Sequence, residues 1–298
     1  MKAFYIIVVT VGVFCLGLIG VSQAAFQEIG TGARPTAMAG SFVPVADDAN
    51  AIFLNPSGLA GLTRPEITTM YARLFPGIEG DNLAQGLVGY VHPLGALGAI
   101  GLGWQSMMSN LFDENTITFS YARKAFKTLA LGVNLKFLRW DADLEPGDPL
   151  GDTLSKTTFG VDAGILWSAT YNLTVGAAVR NVNQPNIAHD PSLGGDLPME
   201  IHVGLGYRLS FTLISAEFVD VDGKRRLLVG AERVFPTAGV YLRGGGNWNS
   251  LEKKSEWGQA SLGLGYEFKG LRLDYSWVYF SQIPDTEGAH RFSIGYKF

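Results

Sequence analysis

From Glu66 onward the chain alternates between apolar and small or charged residues. Leu129, Leu131, Val133, Leu135 and Phe137 share one face, while Ala130, Gly132, Asn134 and Lys136 share the other. A period of two is the mark of an extended strand with unlike faces. Phe159, Val161, Ala163, Ile165 and Trp167 repeat the pattern, and so do Ile201, Val203, Leu205 and Tyr207. The same criterion predicts strands over 66–74, 84–92, 96–107, 115–123, 129–140, 157–168, 173–182, 199–208, 211–220, 225–235, 238–248, 258–268, 271–280 and 290–298, which makes fourteen. Tight connections near 93–95, 124–128, 169–172, 209–210, 235–238 and 269–270 alternate with longer ones near 75–83, 108–114, 141–156, 183–198, 249–257 and 281–289. Only the short turn at Val221 to Gly223 breaks that rhythm.

Before Glu66 the text is different. Residues 1–25, "MKAFYIIVVTVGVFCLGLIGVSQAA", carry Lys2, an apolar stretch and a small-residue end, which predicts a secretory signal peptide cleaved after Ala24 or Ala25. Residues 26–64 are small and loop-forming, with no useful period-two run, and predict a compact, mostly irregular segment.

The decisive question is which face of the strands points inward. A soluble sandwich hides its apolar face against a second sheet. A membrane barrel turns that face to lipid and keeps the polar one inside. Strands of about nine to eleven residues suit a tilted membrane crossing, and Trp104, Trp140, Trp167, Trp248, Trp257 and Tyr279 fall near strand ends. The signal peptide, the even strand count and the alternating loop lengths agree. The expectation is an all-β protein: a transmembrane antiparallel barrel of about fourteen strands (65–298), in the outer membrane of a diderm bacterium. Both ends of the mature chain and the short turns would lie in the periplasm, among outer-membrane lipid.

Composition supports this picture and narrows the chemistry. Charged residues make up 17% and aromatics 12%, beside 38 glycines, which favours short strands over helices. The net charge of −4 and the absence of a basic run argue against nucleic acid. The single cysteine, Cys15, falls in the leader, so the mature chain offers no disulfide or thiolate site. His92, His189, His202 and His290 are scattered over strands and loops, which gives no metal-ligand spacing. Asp220-Val221-Asp222-Gly223 resembles the start of a calcium loop, but Ala231 stands where that loop needs Glu, and a hairpin turn explains it. The acidic run Asp141 to Asp152 reads as a solvated loop. No cofactor, metal or catalytic residue is expected, and the chain does not read as an enzyme.

Two stretches resemble known proteins. The end, "HRFSIGYKF", places Phe292, Ile294, Tyr296 and Phe298 on one face. It is similar to the terminal strand of outer-membrane barrels, and that resemblance implies a signal read by the barrel-assembly machinery. The run Gly32 to Leu62 resembles the N-terminal signature of the FadL-like outer-membrane superfamily, nearest to its PorV/PorQ-type branch. It carries Gly32-Ala33-Arg34, Met38 with Gly40, Asp47-Asp48-Ala49, and Asn55-Pro56 followed by Gly58-Leu59. Ala39 and Ser57 are small-for-small departures.

The resemblance implies that 26–64 is a plug inside the barrel. Physics gives a reason, since fourteen strands enclose more space than wall side chains fill. Arg34, Asp47 and Asp48 are then expected to pair with inward charges among Lys136, Asp162, Arg180, Arg208, Glu232, Arg243, Glu267, Arg272, Asp274 and Arg291.

Function follows from the resemblance alone. The first expectation is binding or transport of hydrophobic small molecules such as fatty acids, with Phe42, Ile52, Phe53 and Leu54 as candidate ligand-lining residues. It requires an apolar pocket and a breach in the wall, with Gly101, Gly103 and Gly244 to Gly246 as candidate bends. The alternative is a PorV-like component of a type IX protein secretion system, which requires a closed barrel and secretion proteins as partners.

Overall fold

Fourteen strands form a closed antiparallel barrel in which each strand pairs with its sequence neighbours and β14 returns to β1. They are β1 (Glu66–Leu74), β2 (Ala84–Pro93), β3 (Ala99–Met108), β4 (Phe112–Phe126), β5 (Leu129–Asp143), β6 (Thr153–Ser168), β7 (Leu173–Arg180), β8 (Glu200–Leu209), β9 (Thr212–Val221), β10 (Lys224–Phe235), β11 (Val240–Asn249), β12 (Glu256–Phe268), β13 (Leu271–Phe280) and β14 (Ala289–Lys297). The structure is a computed structural model that describes residues 26, 29–77, 83–110, 112–144, 153–190, 194–249 and 256–298, with the side chains of 256 and 257 set aside. The predicted leader, the tip of the acidic run and the Trp257 side chain lie outside these residues.

Accessibility decides the inside and the outside. In β5, Leu131, Val133, Leu135 and Phe137 are 42–51% exposed, whereas Asn134 is 3% exposed. In β8, Ile201, Val203, Leu205 and Tyr207 are exposed and His202 is buried. The apolar rows therefore look outward and the polar rows inward. So extensive an exposed apolar surface fits lipid and not water.

Strand limits follow the alternation closely, with one group of departures. β4, β5 and β6 run for 15, 15 and 16 residues, so much of the long loop expected over 141–156 is the top of a hairpin. Polar alternation above the membrane, as in Thr153–Thr158, lacks the greasy row on which the prediction relied. The tight turns obey twist. Asp222-Gly223 and Lys269-Gly270 take positive φ at both positions, 50° and 75°, then 50° and 85°. That is the primed turn that right-twisted strands prefer.

Closure falls to the last strand. β14 pairs with β1 from Glu66↔Lys297 to Leu74↔Ala289. The Phe298 N–H donates to the Pro65 carbonyl at 3.0 Å, and Lys297 meets Glu66 at 3.3 Å. Phe292, Ile294, Tyr296 and Phe298 all face outward.

Replacing a mid-strand outward residue, Leu135→Arg, should cost about 2–4 kcal/mol of folding free energy in a bilayer. Urea titration of the protein refolded into vesicles measures it, and a neutral result would contradict the outward assignment.

Candidate functional site: the occupied lumen

The inward residues of the wall are small at the level where residues 29–64 cross the lumen. A Cβ added to Gly132 would collide with the backbone of Pro56 and Ser57, one on Gly176 with Val43 and Pro44, and one on Gly230 with Met38. The segment is almost entirely buried between Thr31 and Leu59, and only two helical turns, Ala33–Ala37 and Ala51–Leu54, and a 3-10 stretch at Pro56–Gly61 give it regular structure. Its remaining backbone groups need other partners, and wall side chains provide several. Glu217 accepts from the Phe42 and Val43 N–H groups at 3.0 and 2.9 Å, Ser293 from Ala33 at 2.9 Å, and Ser261 from Ala39 at 3.0 Å. In the other direction, Asn134 donates to the Ile52 carbonyl at 2.8 Å. Asn55 spans the gap by itself, donating to Val43 O at 2.8 Å and to Ile165 O on β6 at 3.2 Å.

One charge cluster ties segment to wall. Arg34 donates to both oxygens of Glu232 on β10, at 2.8 and 2.9 Å, and to Asp47 and Asp48 of its own segment at 2.5 and 2.7 Å. Glu232 also accepts from Arg243 at 2.7 Å, and Arg243 donates to Asp274 at 2.7 Å. Arg272 completes the group, 3.2 Å from Asp274 and stacked over the Tyr241 ring. Arg34 itself lies over Phe42 at 5.1 Å. Three guanidiniums thus meet four carboxylates, all except Asp47 largely buried. The arrangement is stable only as a whole, because losing one partner strands the others without water. For Asp48, burial alone would raise the carboxyl, but Arg34 and then Arg272 hold it below the ordinary carboxylate range.

A second polar group lies farther round the wall, from β9 and β8 to β6 and β5. His202 sits between Glu217 at 2.8 Å and Glu200 at 3.2 Å, and Lys136 meets Asp162 at 2.8 Å. Beyond it, toward the long-loop end, is a cavity of about 100 Å³. Ile52, Phe53, Met107 and Leu138 contribute apolar surface there, but Gln85, Gln105, Asn134, Lys136, Arg180 and Glu200 also line it. The β7–β8 connection covers this region: Ile187 and Leu197 pack on Leu138 and Phe26, and Trp140 Nε1 donates to the Ile187 carbonyl at 2.7 Å.

Beside the cavity the wall ladder changes character. β6 pairs with β5 along its whole upper half, but with β7 only over Ala163–Ser168. Farther out the chain turns at Asn181, where φ is 53°. One backbone bond remains, from the Val182 N–H to the Val161 carbonyl at 2.8 Å, and side chains supply the rest: Asp162 accepts from the Asn181 N–H at 3.0 Å, and Asn183 both accepts from Val161 N–H and donates to Phe159 O at 2.9 Å.

A family model described as "Type IX secretion system membrane protein PorP/SprF" matches residues 48–296. The chain belongs to the PorP/SprF family. Among solved structures, this PorP/SprF-family barrel is similar to the "CymD monoaromatic hydrocarbon channel", with a TM-score of 0.70 at 14% identity over 92% of this chain and 99% of that one. It is also similar to a Pseudomonas aeruginosa FadL homologue, with a TM-score of 0.60 at 16% identity over 90% and 98%. A third is the Pseudomonas putida toluene transporter TodX, with a TM-score of 0.55 at 12% identity over 82% and 91%. Identities this low establish a shared FadL-type fold. No curated protein sequence matches the chain. The resemblance read from the sequence pointed to the PorV/PorQ-type branch, whereas the matching model is that of PorP/SprF.

In the PorP/SprF-family barrel the residues singled out from sequence are placed as follows. Arg34, Asp47 and Asp48 lie in the charge cluster. Gly32 and Gly40 hold positive φ at 75° and 83°, and Met38 packs with Phe42 and Leu54. Asn55 and Pro56 touch β5 and β6 where Gly132 and Gly164 leave room, and Gly58 abuts Ala46. Of the four candidate ligand-lining residues, Ile52 and Phe53 reach the cavity, while Phe42 and Leu54 are sealed in an apolar cluster. Gly101 and Gly103 are not bends: β3 is continuous, and the space above them is taken by Ile52, Leu59 and Phe53. Sequence reading missed Glu217, His202 and the Asn181–Asn183 interruption. The first two were visible only as inward polar residues, and the third carried no Gly or Pro signal.

Arg34→Met should destabilise the segment by about 3–5 kcal/mol, because Asp48 stays buried without the cation that pairs with it and Glu232 is left to Arg243 and Arg272. Limited proteolysis within 29–64 reads this, and wild-type protection in the variant would contradict the anchoring role. The pH dependence has a defined sign. The folded-state pKa of Asp48 lies below its unfolded value of about 3.9, so its contribution is complete above that value and is lost as pH falls through the folded-state one. Protection of 29–64 should therefore decline only below about pH 4, and Asp48→Asn should flatten the decline.

Proposed function

We propose that this chain is an outer-membrane component of the type IX protein secretion system, acting as a closed barrel that engages other secretion proteins. The observation that carries the reading is the way the lumen is occupied. Residues 29–64 are bonded to the wall by a seven-charge cluster and by side-chain bonds to most quarters of the barrel, as befits a plug that stays in place. Membership of the PorP/SprF family agrees with it. A PorV-like role is the finer form of the same reading. During biogenesis the outward row of Phe292, Ile294, Tyr296 and Phe298 is the segment offered to the barrel-assembly machinery, after export by a cleaved signal peptide.

A second reading, passage of hydrophobic small molecules, is favoured by one observation: the interrupted β6–β7 ladder lies beside the cavity reached by Ile52 and Phe53. The mixed lining of that cavity, with Lys136, Arg180 and Glu200, weighs against an apolar ligand.

Deleting the gene should strip type IX-exported proteins from the cell surface and medium, measured by quantitative proteomics, while uptake of a labelled long-chain fatty acid stays at its wild-type rate. Normal export with lost uptake would transfer the conclusion to the second reading.

A further inference from the structure

The two ends of the barrel differ in charge, although the chain as a whole carries −4. At the short-turn end the exposed cations are Arg64, Arg123, Lys124, Lys127, Arg208, Arg233 and Lys269. Among the described residues Asp47 is the one exposed acidic side chain there, since Glu66 is buried against Lys297 and Glu267, half-buried, accepts from the Tyr241 hydroxyl. The opposite rim exposes seven acids among the described residues, Asp113, Asp143, Asp190, Asp196, Asp222, Asp285 and Glu287, against four exposed cations, Arg73, Arg139, Lys224 and Arg225. Short turns of two to five residues cannot fold over to neutralise the basic end, which faces the periplasm.

The same end has a hollow. Between the inner segment and the wall lies a pocket of about 230 Å³, open to solvent. Val45, Leu62, Leu166 and Leu213 give it apolar walls, and Arg208 and the fully exposed Tyr171 stand at its edge. Part of the basic rim stands on the outer wall, within reach of a lipid headgroup: Arg233, for example, lies over the outward rings of Phe211 and Phe235. The pocket does not, because it lies between the inner segment and inward wall residues such as Leu166 and Leu213, on the side of the wall away from lipid, and its greasy walls suit neither a sugar nor a phosphate.

We propose that the short-turn face is a docking site for an acidic periplasmic protein segment, which seats one apolar side chain in this pocket while its carboxylates lie against Arg64, Lys124 and Lys127. The inference deepens the secretion reading, on which it rests, by naming the chemistry of a partner. Rim charges set the encounter rate and its salt dependence, and the buried anchor sets residence.

The test uses the full mature protein in lipid nanodiscs and, as probe, a fluorescent glutamate-rich peptide carrying one leucine. Binding should weaken on adding salt, and by roughly tenfold in the triple variant Arg64→Glu, Lys124→Glu, Lys127→Glu. It should weaken comparably in Gly61→Trp, which fills the pocket from a position where an added Cβ meets no atom within 4 Å. A control peptide without leucine should bind like the pocket-filled variant. Binding indifferent to salt and to both variants overturns the proposal. So does capture of phosphatidylglycerol vesicles or peptidoglycan fragments by the same residues with no capture of the peptide. If the peptide fails while gene deletion still abolishes export, the docking site alone falls; if deletion leaves export intact, the secretion reading falls whatever the peptide does.

Discussion

Hydrocarbon offers no partner to a backbone N–H or C=O, and this requirement shapes everything else in the molecule. A sheet that crosses the membrane must leave no open edge, so β14 has to find β1, and it pairs with it from Lys297 back to Ala289. Closure with fourteen strands then creates the next problem, a lumen wider than its own side chains can fill. The chain answers by threading its own beginning through the ring.

Filling a lumen with mostly irregular backbone creates a further demand. Few of that segment's polar groups are satisfied by helix or sheet of its own, so the wall must supply donors and acceptors while also leaving room. Glycines at 132, 164, 176 and 230 give the room, and Ser261, Ser293, Asn134 and Glu217 give the bonds. The alternation of Gly with short polar residues on the inward face is the imprint of the segment on the wall. A solvated pore would have no use for glycines at that density, and the packing explains why they line the inside.

How much of this was legible from residues alone depends on the range of the physics involved. Strand limits are local: a greasy row such as Leu131 to Phe137 declares its strand and its outward face, because lipid contact demands both. Where the hairpins of β4, β5 and β6 rise above the membrane that demand ceases, and the pattern faded with it. Many of the inward charges followed from the same alternation, although Glu217 and Glu114 did not. Which of them meet did not, because the cluster is assembled by strand tilt and barrel closure, with Arg34 and Glu232 198 residues apart in the chain. The β6–β7 interruption was least legible. It is built from Asp162 and Asn183, whose side chains stand in for backbone, and a polar residue in a strand looks the same whether it faces water or closes a ladder.

The segment's anchoring bears directly on the choice between conduit and scaffold. A gate must exchange one set of contacts for another of nearly equal free energy, so its restraints are few and its alternatives are near. Here movement of residues 29–64 would break the Arg34 bonds to Glu232 on the wall, leaving Glu232 to Arg243 and Arg272 alone, and it would also orphan the Phe42 and Val43 amides. Breaking buried charge pairs and amide bonds costs several kcal/mol, and only a partner supplying comparable interactions could offset that. A freely diffusing small molecule, whose binding energy is bounded by its size, could offset little of that cost. The restraint is therefore what the proposed secretion role would use, since a protein partner can dock on an object that stays rigid and closed.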